Sequence, residues 1–187
     1  MKTVLAVLAV LIVVAIYFGV YLYNTFNKLV ALRNSTATAW AQIDTELQQR
    51  LDLIPALVAT VKGYAAHEKQ TLESVISARS AAVSADGPKD QLTQNDLLAG
   101  SLGRLMLLAE AYPNLKADTS FLDLQGQLSQ IERRINLARR FYNESVLVYN
   151  TSQEQFPANL VAKRLGHLTS QSYSAKPEAA EPPKFEF

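Results

Sequence analysis

The chain has 187 residues, a formal net charge of +1 and no cysteine. Near-neutrality removes the electrostatic footprint of a nucleic-acid-binding protein. The lack of thiols excludes disulfides, thiolate metal sites and a lipid-modified N-terminal cysteine.

The first element is the run Thr3 to Tyr23, TVLAVLAVLIVVAIYFGVYLY, which contains no charge. A helix rises about 1.5 Å per residue, so roughly 20 apolar residues cross a hydrocarbon core about 30 Å thick. The run is longer than the apolar stretch of a secretory signal. The small-x-small triplet Ala37-Thr38-Ala39 lies too far downstream for cleavage, so an uncleaved anchor is expected. Tyr17, Phe18, Tyr21 and Tyr23 suit an interfacial belt at its C-terminal end. Lys2 flanks one side and Lys28 and Arg33 the other, so flanking charge orients the span only weakly. Ala15 and Gly19 form a small-xxx-small pair of the kind that can seat a helix dimer, or a chance pair in an Ala-rich span.

Asn24 to Arg50 continues the helix into water, with a partial stripe of Leu29, Leu32, Trp40, Ile43 and Leu47. Glu46 and Arg50 form a surface i,i+4 pair. Pro55 lacks a backbone donor and opposes the carbonyl of Leu51, which predicts a kink or restart there, with Asp52 as a cap. Leu57 to Val83 reads as a second helix. Its seam is Val58, Val61, Ala65, Glu68, Leu72, Val75, Arg79 and Ala82. Gly63 within it would allow a neighbouring backbone to approach. Ser84 to Leu92 contains Asp-Gly-Pro and reads as a turn. Thr93-Gln-Asn-Asp96 resembles a capping box, followed by Leu98, Leu102, Leu105, Ala109 and Tyr112 in register. Tyr112-Pro113 closes that helix.

Asp118, Thr119 or Ser120 starts the longest clean seam: Phe121, Leu124, Leu128, Ile131, Ile135, Ala138, Tyr142, Ser145 and Tyr149. The Leu57–Val83 stretch is its natural partner. Phe156-Pro157 ends it. A short helix from Asn159 stops at Gly166, and the Pro- and Glu-rich tail, 167–187, predicts disorder. No stretch alternates long enough for a sheet. The expected fold is all-α: a transmembrane helix (1–23) followed by an antiparallel long-helix bundle of three to four helices (24–166).

These residues resemble the LemA family. The likeness is carried by Leu29-Val30, Arg33-Asn34, Ala39-Trp40, Ile43-Asp44, Arg50-Leu51-Asp52-Leu53-Ile54-Pro55 and Thr60-Val61-Lys62-Gly63-Tyr64-Ala65. Ala111-Tyr112-Pro113-Asn114-Leu115, Tyr142-Asn143, Tyr149-Asn150 and Phe156-Pro157 extend it. The sequence departs from that pattern at Thr45, Gln48, Gln49 and Ala56. The resemblance implies a single-pass bacterial membrane protein with a helical bundle. It brings no catalytic residues and no cofactor. The expected location is the inner membrane, with the bundle on the non-cytoplasmic side.

Chemistry-bearing residues are few. His67 and His167 fall in no metal-ligand spacing, so no metal and no catalytic set is expected. Glu68 and Arg79 are charged members of an apolar seam, read as register or partner contacts. Tyr142-Asn143 and Tyr149-Asn150 repeat on one face as packed, hydrogen-bonded contacts. Arg133, Arg134, Arg139 and Arg140, with Lys163 and Arg164, are candidates for anionic headgroups or a solvated face. The expected function is contact: self-association into a membrane-bound assembly, or scaffolding of other membrane or envelope proteins, with no nucleic acid. The alternatives are a signalling component relaying through a Pro55 hinge, and a ligand-binding or enzymatic domain with a polar bundle site.

Overall fold

A computed structural model describes residues 1–162, Ser170 and Ser172. The predicted end of the last helix at Gly166, His167 and most of the tail lie outside these residues. No strand occurs among the described residues, as the periodicity implied. The helices are α1 (Lys2–Tyr64), α2 (Lys69–Val83), α3 (Gly87–Ala109), α4 (Pro113–Lys116), α5 (Thr119–Glu154) and α6 (Ala158–Val161). They fall into two compact units. One comprises Trp40–Arg139; the other comprises Met1–Ala39 and the chain from Arg140 onward.

In the Trp40–Arg139 unit, α1, α2, α3 and the first part of α5 form an antiparallel bundle. Its core unites Leu51, Ile54, Leu57 and Val61 of α1 with Leu72 and Val75 of α2, Leu98, Leu102 and Leu105 of α3, and Phe121 and Leu128 of α5. The members from α2, α3 and α5, with Val61, belong to the seams seen in the sequence, whereas Leu51, Ile54 and Leu57 continue the α1 stripe of Ile43 and Leu47 past the point where it was read to end. Burying a Leu or Ile side chain contributes about 1.5–3 kcal/mol, so the seams supply the driving force.

Four expectations about element boundaries are corrected. First, α1 runs unbroken through Pro55; the break falls at 65–68, between α1 and α2. Ala65 N–H still bonds Val61 O (2.8 Å) and Glu68 N–H bonds Ala65 O (3.1 Å), so the seam keeps its register across the turn. That is why periodicity alone ran the two helices together. Second, Gly87-Pro88 begins α3 and does not merely end α2. Gly87 takes φ 75°, a left-handed conformation open to glycine, and Pro88 sits in the first turn, where a missing N–H costs nothing. Thr93 is therefore inside the helix, its Oγ1 on Lys89 O (2.9 Å). Third, the helix long enough to match the 36-residue α5 is α1, at 63 residues, and not α2, at 15. The ion pairs of α5 run to α1 and α3, while α2 is braced on α3 through Ser74 and Ser101 (3.3 Å). Fourth, nothing lies within 4 Å of where a Cβ would stand on Gly63, so no backbone approaches it there.

The start of α5 behaves as its sequence suggested. Asp118 Oδ1 accepts the N–H of Phe121 (2.9 Å), and Oδ2 accepts the Tyr64 hydroxyl (2.9 Å). The Phe121 N–H first, then Tyr64, hold this carboxyl below its ordinary value. The unfolded chain therefore protonates first, at about pH 4. The contribution is complete above that pH and is lost as pH falls through the lower folded value. Asp118→Asn should make the melting temperature fall less steeply between about pH 5 and pH 2.5 than it does in the parent chain, as followed by circular dichroism.

In the other unit, Leu29 of α1 packs against Ala158 and Ala162. Tyr142, Val146 and Tyr149 of α5 are buried. The run Thr3–Tyr23 forms the start of α1, and none of the apolar window within it is buried by protein. Thr25, just beyond it, turns its Oγ1 back onto Tyr21 O (2.9 Å).

Candidate functional site

The most heavily built polar arrangement lies across the middle of the Trp40–Arg139 bundle. Arg50 is its centre. It occupies the seam of α1 that runs Ile43, Leu47, Arg50, Ile54, Leu57 and Val61, and its side chain is only 3% exposed. Its Nη2 pairs with the Glu132 carboxylate of α5, and its Nη1 reaches Asn95 O of α3 (3.4 Å). Burial is the main influence on this guanidinium and pulls its pKa down; Glu132 and Asp96 pull it back, and Arg139 adds to the fall. Arginine still keeps its charge at any physiological pH.

A second layer surrounds that pair. Arg139 Nη2 donates to Asp96 Oδ1 (2.9 Å), tying α5 to α3. Arg134 Nε donates to Glu46 Oε2 (2.8 Å), and its Nη2 to Gln49 Oε1 (2.7 Å), tying α5 to α1. Glu46 thus serves Arg134, and the expected surface pair with Arg50 is not formed. One turn of helix separates the two pairings: Arg50 falls on the apolar seam and Glu46 beside it. Asn95, 2% exposed, donates its Nδ2 to Gln91 O (2.9 Å).

The charged seam members predicted in α2 and its approach do meet partners outside α2. The Tyr112 hydroxyl donates to Glu68 Oε1 (2.9 Å), and the hydrogen bond to that carboxylate raises the phenol's pKa. Arg79 Nε donates to Leu51 O of α1 (3.0 Å). Both side chains are half-buried. Of the four arginines offered as lipid contacts, Arg134 and Arg139 are committed to internal ion pairs, and Arg139 is only 13% exposed. Arg133 and Arg140 are exposed.

Tyr142, Asn143, Tyr149 and Asn150 lie in the other unit. Burial raises the pKa of both phenols, and Arg33 opposes the rise at Tyr149. Asn150 closes a two-way bond with Ser170: Nδ2 to Ser170 O (2.9 Å) and Ser170 N–H to Oδ1 (3.0 Å).

An open groove of about 400 Å³ borders the central pair, lined by Arg50, Leu102, Gly103, Met106, Ser129 and Glu132. It contains none of the partner-contact candidates Glu68, Arg79, Tyr142, Asn143, Tyr149 and Asn150. Its guanidinium is already spent on its carboxylate. No group of three or more His, Asp or Glu side chains is placed to hold a metal among the described residues. The arrangement acts as a cross-brace: α1, α3 and α5 share a charge-neutral set of three arginines and three carboxylates.

Residues 39–187 match the sequence profile of the LemA family. The chain belongs to the LemA family. Magnetosome proteins MamQ 1 and MamQ 2 of Paramagnetospirillum magneticum are each 25% identical to it over 204 residues, covering 95% of this chain and 74% of theirs. Protein LemA of Metamycoplasma hominis is 26% identical over 163 residues, covering 85% of this chain and 73% of its own. With its exposed apolar start to α1, this LemA-family chain is a membrane-associated helical protein. The Arg50-Leu51-Asp52-Leu53-Ile54-Pro55 motif that carried the resemblance holds both the central arginine and the carbonyl that Arg79 caps.

Proposed function

We propose that this chain works by contact and not by catalysis. Its span anchors it in the bacterial inner membrane with the bundle on the non-cytoplasmic side, and copies associate there into an assembly that scaffolds other envelope proteins. The observation that carries this reading is the outer face of α5. Phe141 and Val148, seven residues apart and so on one side of the helix, are 54% and 43% exposed. The occupant that fits them is the same face of a second copy. Each chain brings one span, and confinement to a membrane raises the effective concentration of like copies, so modest apolar contacts suffice. The braced bundle supports the reading too, because its ionic groups are engaged with one another.

The cysteine-free sequence makes the test clean. Single cysteines are placed at Phe141 or Val148, and at Asp123 as an exposed control. Membranes are then treated with a short bismaleimide. Covalent dimers at the two α5 positions and none at 123 are expected. Monomer at every position, or equal crosslinking at all three, overturns self-association through this face.

A further inference from the structure

Pro55 sits inside α1 with no N–H to give, so the carbonyl four residues back, at Leu51, loses the donor that an α-helix would supply. Leu51 is itself buried, 5% exposed, which keeps water from replacing that donor freely. The structure supplies a substitute from another helix: Arg79 of α2 donates its Nε to Leu51 O at 3.0 Å. The two features are therefore one device. A proline opens a weak joint in α1, and a side chain of α2 closes it.

We propose that Arg79 is the latch of this joint, so that the stiffness of α1 at residues 51–55 is set by whether α2 is seated. α2 is seated by Leu72 and Val75 in the shared core, and that seating brings Arg79 onto the Leu51 carbonyl. It is 15 residues long, and no side chain caps its N-terminus. Among the described residues, side-chain hydrogen bonds tie it to its neighbours only at Ser74 and Arg79. α1 is also the helix that carries the apolar span. Lifting α2 releases the Leu51 carbonyl and lets α1 flex at Pro55; seating it stiffens the same turn. This inference is independent of the self-association reading and stands or falls on different measurements.

The test is a two-by-two set in the full-length chain in detergent micelles: parent, Arg79→Met, Pro55→Ala, and both together. Methionine keeps most of the aliphatic stem. Alanine at 55 restores the backbone donor to Leu51 O. Hydrogen–deuterium exchange is read on peptides covering residues 47–60. Arg79→Met alone is expected to speed exchange there by about tenfold or more, the loss of one hydrogen bond from a charged donor. In the Pro55→Ala background the same change should alter exchange by less than about twofold. Equal acceleration in both backgrounds, or none in either, overturns the proposal. If Arg79→Met fails to fold, rescue of folding by Pro55→Ala supports the latch, and failure of the double variant overturns it.

Discussion

Replacing Glu132 with Ala should lower the unfolding free energy of the full chain by about 3 kcal/mol, whereas replacing its partner, Arg50→Met, should cost about 1 kcal/mol or less. The asymmetry follows from where each half of the pair sits. The Arg50 side chain is 3% exposed and that of Glu132 is 47% exposed. Take away the carboxylate and a guanidinium is stranded inside the bundle with only the long contact to Asn95 O left. Take away the guanidinium and the carboxylate turns to water, while methionine fills the volume left behind. The double variant should behave like Arg50→Met alone, so the two single effects fail to add. Thermal or urea unfolding in detergent, followed by circular dichroism, measures all three. Similar losses for both single variants would mean that the pair is braced by packing and not by charge.

The second large effect concerns the anchor. Removing residues 2–23 should move the protein from the carbonate-resistant membrane pellet to the soluble fraction, with the bundle still helical. The apolar window within the run is covered by no protein, and exposing so many Val, Leu and Ile side chains to water is costly at about 25 cal/mol per Å². A milder variant probes the same term. Leu11→Arg places a charge near the middle of the span and should disfavour insertion by about 2.5–3.5 kcal/mol. Sequencing the amino terminus of the membrane-extracted protein completes the test. If the mature chain lacks Thr3–Tyr23, the run is a cleaved signal and the anchor reading is lost.

The parts that were legible in the sequence are those governed by one period. The apolar run predicted a long helix, and the spacings of three and four at Leu98-Leu102-Leu105-Ala109 and Leu128-Ile131-Ile135-Ala138 named the buried faces of α3 and α5. Glu68 and Arg79 stood out as charged members of a seam, and each meets a partner elsewhere in the bundle: Tyr112, just ahead of α4, and Leu51 of α1. The break at 65–68 was hidden because the turn preserves the seam's register. Arg50 was missed for a different reason. Read against its neighbour Glu46 it makes a surface pair, but read against Leu47, Ile54 and Leu57 it stands in the apolar stripe. That second reading was available. Asn95 is the same case: it continues the stripe of Leu98 and Leu102 backward, and a supposed cap at Thr93-Asp96 drew attention from it. Pairing across helices, Arg50 with Glu132 or Arg134 with Glu46, has no local signal, because partners more than eighty residues apart are set by how the bundle closes.

The small hydrogen bond from Thr25 to Tyr21 O has a consequence for life in a bilayer. Just past the greasy stretch, this hydroxyl needs no solvent, since its own helix satisfies it. Asn24, Asn27 and Lys28 begin the watery section of α1 directly after the run, while Tyr21 and Tyr23 tolerate either side of that boundary. Such a rod can ride higher or lower as lipid thickness changes, at a cost of only fractions of a kcal/mol per Å.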